Sequence, residues 1–370
     1  MRTTRLLSFG IQPQIMSTAH EVGFRIAFPE RLCIDHNGDH FVKEVVPQFH
    51  RLLKEAGYNL EYDMNVDKFL ESVKTPVFSG KVIFDLSNTI YFGLPETLKI
   101  QVIGDFCRRL TGDKVVVIFP ENEDRRRFLE LMDVYGCFCE WAELKRTSGE
   151  TEKWELGSSL SNSLSVRILP ITPIKRREDV GHASSELIKP KVTKILENDF
   201  GMNEEAIQVL ADTLAGEISG NICEHSKSEG FIAAQVHKWN PNIRTNPEYV
   251  PNVELAISDG GIGIHQSLMN KEPKKYSEKT GTKAIEMVLN GDIPKISGEE
   301  KFHGGINRVR DRIKEDFSGE IYIESAFSVV RRWYKSGYSR QYDREALSNF
   351  FIGTHIDIKL PRRSRQFGES

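Results

Sequence analysis

The sequence predicts an α/β protein built from two units, and three observations carry that expectation. Residues 1 to about 145 alternate short apolar runs with amphipathic stretches. Residues 146–165, within KRTSGETEKWELGSSLSNSLS, are rich in serine, glycine and charge and read as a linker. From 166 to 361 strand and helix patterns resume, before a short basic tail over 362–370. A length of 370 residues suits two domains of roughly 150 residues each plus a connection.

Composition sets the outer bounds. Fifty Lys+Arg against 53 Asp+Glu leave a net charge of −3, so neither nucleic acid nor an anionic membrane is an expected partner. With 39% hydrophobic and 28% charged residues the chain has the make-up of a globular protein. Its longest purely apolar run, Val115 to Phe119, falls far short of the ~20 residues of a spanning helix. Gly10 and Gln12 interrupt the apolar stretch after Arg2 and Arg5 before it reaches signal-peptide length, so a cytoplasmic location is expected. Five cysteines (33, 107, 137, 139 and 223) form no framework, and Cys137-x-Cys139 lacks the spacing of a redox or zinc pair; they read as structural thiols.

In the first unit, residues 1–77 hold a helix over Val42–Ala56 but no arrangement that the pattern assigns. A buried strand is predicted over Lys81–Ser87, then a helix over Pro95–Leu110 with Leu98, Val102, Ile103 and Phe106 on its apolar side. A second strand follows over Lys114–Phe119 and a second helix over Glu123–Tyr135. Strand, helix, strand, helix at this spacing implies parallel strands covered by helices. Residues 78–145 resemble a STAS domain, the small α/β module of anti-sigma-factor antagonists, which implies a protein-docking role. Such modules often open their first helix with a phosphorylatable serine, and here Phe92-Gly-Leu-Pro-Glu-Thr97 supplies none.

The second unit carries the chemistry. Asn203 caps a long amphipathic helix with Glu204 and Glu205 in its first turn, and Ile207, Leu210, Leu214, Ile218 and Ile222 at helical spacing. Along another edge Glu217, Asn221, Glu224 and Ser228 form one polar stripe. A carboxamide and a carboxylate one turn apart can divide labour at a phosphate: the amide oxygen takes Mg²⁺, the carboxylate orients or deprotonates a nucleophile. Taken singly that pair is common by chance. Next, Val253, Leu255 and Ile257 alternate with Glu254, Ala256 and Ser258 in a strand that ends in Asp259-Gly-Gly-Ile-Gly263. A carboxylate at a strand's end before a glycine turn can accept from an exocyclic amine such as the N6 group of adenine.

A polar, lysine-rich stretch over 266–302 follows and is expected to be a mobile lid. His303-Gly304-Gly305 then opens a helix running to about Asp316, where unpaired N–H groups favour an anion. The chain returns in strands over Ile321–Ser325, Val329–Tyr334 and Gly353–Pro361, the last with Ile356, Ile358 and Leu360 inward and His355, Asp357 and Lys359 outward.

With these elements in order, residues 166–361 resemble the histidine-kinase-like (GHKL) ATPase family of sensor kinases, anti-sigma-factor kinases, topoisomerase and mismatch-repair ATPases and certain chaperones. The family's N box matches Glu217, Asn221 and His225, and its first glycine box matches Asp259, Gly261 and Gly263. Its second glycine box is matched only by Gly305 and Ile306, with His303 and Gly304 departing from it, and its final Gly-Thr by Gly353 and Thr354. The resemblance implies an α/β sandwich, a mixed sheet covered by helices, behind the STAS-like module. It implies ATP as ligand, Mg²⁺ on Asn221, Glu217 as catalytic base, and nucleotide contacts from Asp259, Gly261, Gly263, Gly304, Gly305, Thr354 and the lid lysines Lys275 and Lys279.

His182 precedes the N box too closely for a phosphoacceptor hairpin, and only nine residues follow Pro361, too few for a transducer domain. The anti-sigma-factor serine kinase branch is therefore the closest resemblance. It implies phosphorylation of a serine or threonine on a regulatory partner, STAS-like or sigma-factor-related, with a homodimer as a further expectation. The alternatives are an ATP-gated switch or ATPase without protein kinase activity, and a sensor-kinase-like protein lacking the hairpin.

Overall fold

The computed structural model describes residues 23–35, 38–61, 64–151, 167–175, 188–200, 204–222, 226, 228–237, 251–293, 305–335 and 338–361. The chain is α/β, with parallel pairing in one sheet and antiparallel pairing in another. His182, His225, His303, Gly304, the polar stretch 152–166 and the basic tail lie outside the described residues.

The first unit begins with β1 (Gly23–Ala27), β2 (Arg31–Leu32), β3 (Ile34–Asp35) and β4 (Gly38–Asp39). A wide, π-type turn over Phe41–Val45 leads into α1 (Val46–Glu55), followed by α2 (Val66–Ser72), which Asn65 caps by accepting from the Lys68 N–H at 3.0 Å. Next come β5 (Lys81–Asp85), β6 (Tyr91–Phe92), α3 (Leu94–Thr111), β7 (Val115–Ile118), α4 (Glu123–Leu131), α5 (Val134–Phe138) and β8 (Ala142–Lys145). Strands β1, β5, β7 and β8 form a parallel sheet in that order, as strand–helix alternation requires. Its edge strand β1 comes from the region that the sequence pattern left unassigned. The helix expected over 123–135 is broken, because Asp133 takes a left-handed backbone at φ 54° between α4 and α5.

The second unit comprises β9 (Ile168–Ile174), α6 (Lys189–Phe200) and α7 (Glu204–Asp212), which continues through π-type turns over Thr213–Ile218 into α8 (Ser219–Asn221). Then follow β10 (Gly230–Val236), β11 (Pro251–Asp259), α9 (Gly263–Lys271), α10 (Pro273–Tyr276), α11 (Gly281–Asn290), α12 (Gly305–Arg312), β12 (Gly319–Lys335) and β13 (Tyr338–Pro361). Five strands in the order β12-β13-β11-β10-β9 make an antiparallel sheet. Leu255, Ile257, Ile356 and Ile358 on one face pack with Ile207, Leu210 and Leu214 of the preceding helix, as the two periodicities require.

The opposite face is not solvated. Phe231, Ala233 and Ala256 join a core that also holds Leu98, Val102, Ile103 and Phe106 of α3, so α3 lies between the two sheets. This overturns the outward placement of His355, Asp357 and Lys359: His355 and Asp357 are each 2% exposed. The Lys359 ammonium lies 3.0 Å from Asp357 and 3.7 Å from Glu254, and Lys99 of α3 is 2.6 Å from both Asp39 and Glu324. Strand alternation separates two faces; it does not say that the polar one meets water, and here α3 covers it.

The stretch expected to be a mobile lid, 266–302, is described as far as Ile293, and residues 294–302 lie outside the described residues. Residues 263–290 fold as α9, α10 and α11, with Leu268, Tyr276 and Ala284 buried among Met269, Met287 and Ile293. Thr280 caps α11 by accepting from the Lys283 N–H at 3.2 Å. No helix among the described residues is long and apolar enough to cross a membrane.

Candidate functional site

The polar stripe of the long helix and the glycine turn after β11 meet in one cleft of about 100 Å³. Ile218, Asn221 and Ile222 form one wall, Ile257 and Asp259 the floor, Gly263, Ile264, Ser267, Leu268 and Lys271 of α9 the second wall, and Gly305 and Ile306 the far end, with Thr354 and Ile356 beside the floor. Most of this surface is aliphatic, with a few polar groups placed among it, as in pockets for small organic ligands.

Asp259 ends β11 opposite Thr354 of β13, its register partner. Its Oδ1 accepts from the Gly261 N–H at 2.8 Å, which holds the turn. Burial pushes its carboxyl up to about 7, against the Gly261 and Thr354 backbone N–H groups that favour the charged form. The approach of the two strand ends depends on Gly353. It sits at φ 84°, and a Cβ there would fall 1.7 Å from the Asp259 carbonyl oxygen. Ser325 of β12 ties these parts together: its hydroxyl accepts from the Ile264 N–H at 2.8 Å and donates to the Gly353 carbonyl at 3.2 Å.

Glu217 lies one turn before Asn221 but faces α12, where Arg308 pairs with its Oε1. Its second oxygen is buried and has no hydrogen-bond partner among the described residues. Gly305 permits this approach, because a Cβ there would lie 2.8 Å from Glu217 Cβ.

Of the residues predicted from sequence, Asn221, Asp259, Gly263, Gly305 and Thr354 line the cleft together. Gly261 acts through its N–H, and Glu217 stands beside the cleft. Lys275 and Lys279 are not brought to it. The Lys275 ammonium lies 5.4 Å from the Tyr276 ring and 4.0 Å from Glu272, and Lys279 lines a separate cavity. Helix α9 stops at Glu272, whose φ of −137° breaks the helical path and turns the later lysines away from Lys271. Sequence reasoning missed Ser267, Ser325, Arg308 and the apolar contributions of Val288 and Ile293. The first three are single polar residues with no motif around them.

Among the described residues no group of three or more His, Cys, Asp or Glu could hold a metal ion. Asn221 brings a carboxamide, a neutral side chain with one acceptor oxygen and one donor nitrogen, to the cleft.

No protein-family model matches the chain, and no curated protein does. Among solved structures, the chain is similar to the ATP-binding domain of topoisomerase IV from Francisella tularensis, solved in complex with a small-molecule inhibitor. Identity is 18%, the TM-score is 0.17, and the match covers 29% of this chain and 47% of that one. Less than half of that domain is spanned, and a similarity of this extent fixes neither fold nor activity.

Proposed function

We propose that this chain is a regulatory protein that binds Mg-ATP in the cleft between α8, α9 and β11. The observation that carries the reading is Asp259: a buried acceptor at the end of an aliphatic slot, paired across strands with Thr354. A flat heterocycle bearing an exocyclic amine suits both the slot and the acceptor, and adenine is such a group. Asn221 would hold Mg²⁺ with the phosphates, and the ion when bound would neutralise their charge. Gly305 at the start of α12 supports an anion at the same end.

The finer reading is transfer of the γ-phosphoryl group to a serine or threonine of a partner protein, STAS-like or sigma-factor-related, with Glu217 accepting the hydroxyl proton. One observation favours a second reading, an ATP-gated switch without transfer: Arg308 engages Glu217, while α3 packs on the back of β10, β11 and β13. In that case nucleotide in the cleft biases what the N-terminal unit docks. The test is incubation of the purified chain and cell lysate with Mg-ATP labelled on the γ-phosphate. Label on a second protein that disappears with Glu217→Ala supports transfer; saturable ATP binding with no transferred label supports the switch. Absence of ATP binding refutes both.

A further inference from the structure

Helix α9 has two working faces. Ile264, Ser267, Leu268 and Lys271, at i, i+3, i+4 and i+7, line the cleft already described. His265, Gln266 and Met269, with Ile262 just before the helix, repeat that spacing on another side and line a second cavity of about 220 Å³. Its opposite wall is Met64, Asn65 and Val66 at the start of α2 and the segment Ser325–Ser328 of β12. The rim is closed by two bonds between units: the Val66 N–H donates to Gln266 Oε1 at 3.3 Å, and Asn270 Nδ2 donates to Asp67 at 3.1 Å.

The chemistry of the wall is specific. Met64, Val66, Ile262, Met269 and Phe327 give it an apolar body. Ala326 at φ 53° interrupts the pairing of β12 with β13, and two residues on the Ser328 hydroxyl is fully buried with no hydrogen-bond partner among the described residues. Among the described residues that line the cavity none is a carboxylate, and Lys279, whose side chain is exposed, is the one lysine. We infer that this cavity is a binding site for a small organic acid, an apolar tail seated between Met64 and Met269 with its carboxylate toward Lys279. The site does not depend on what occupies the first cleft, although the shared helix gives the two a physical connection.

The test is a titration of the full chain, labelled with ¹³C at the methionine methyls, with sodium octanoate and no nucleotide. The inference predicts saturable shifts of the Met64 and Met269 signals with the core Met132 signal unmoved. Lys279→Gln, an exposed substitution, should weaken octanoate by about threefold or more and leave octan-1-ol unchanged. Failure of the two signals to saturate below about 10 mM would overturn the site, as would equal octanoate affinity in the variant. Because nucleotide is absent throughout, that failure would leave the reading of the first cleft untouched.

Discussion

Replacing Asp259 by asparagine tests the chemistry of the cleft floor through pH. In the free protein burial raises this carboxyl from 3.8 to about 7, so near neutrality the site is divided between its acid and carboxylate forms. A ligand amine that donates to the carboxylate draws only on the ionised fraction, which rises from roughly one tenth at pH 6 to roughly nine tenths at pH 8. Mg-ATP affinity should therefore rise about tenfold across that interval, with about half a proton released per nucleotide bound at pH 7. Asp259→Asn removes the charge-assisted bond, worth about 1.5–3 kcal/mol, and so weakens binding about tenfold or more at pH 8. It should also flatten the profile. Calorimetry of both proteins in buffers of different ionisation enthalpy separates this effect from titration of the nucleotide phosphates, which is common to the two. Parallel profiles for parent and variant would refute the assignment. Stability follows the same linkage with its own sign. Between about pH 4 and pH 7 the folded protein keeps a proton on Asp259 that the unfolded chain has lost, so this residue makes stability fall as pH rises through that window, and the variant should lose that slope.

Other outcomes follow from single contacts. Glu217→Ala should keep ATP binding and abolish phosphoryl transfer in a labelled-phosphate assay, whereas Asn221→Ala should remove the Mg²⁺ dependence of binding measured by calorimetry. Gly353→Ala forces a left-handed residue against the Asp259 carbonyl, and a cost of about 2 kcal/mol or more should appear in denaturant melts. Lys99→Met leaves Asp39 and Glu324 buried without their cation and should cost about 3–5 kcal/mol in the same melts; a loss below about 1 kcal/mol would show that the charged layer between the units is not held by Lys99. Amides of 281–290 should exchange slowly even without nucleotide, because Ala284, Ile285 and Leu289 are buried.

Much of the second unit was legible because its periods are clean. The helix from Glu204 carries an uninterrupted apolar stripe, β11 alternates without a break, and Asp259 and Thr354 lie at the ends of short strand patterns that pair with each other. What escaped was set by contacts distant in sequence. Nothing in His355-Ile-Asp-Ile-Lys359 says that α3, with Lys99, will cover its polar side. Strand β1 is five residues long and gains its identity only by pairing with β5. The lysine-rich surface of 266–290 hid the small core around Tyr276, and the break at Glu272 sent Lys275 and Lys279 elsewhere while leaving Lys271 in the cleft. The pairing of Arg308 with Glu217 joins residues on two different helices and has no local signal.

The proposed role of Asp259 as an acceptor for adenine is met most directly by one measurement: calorimetric titration of the full chain with Mg-ATP and, in parallel, Mg-GTP. Guanine carries an acceptor oxygen where adenine carries the donating amine, so it cannot satisfy the Asp259 carboxylate at that position. One saturable site with ATP preferred by about tenfold or more is the predicted result. No saturable ATP binding, or equal affinity for the two nucleotides, would contradict it.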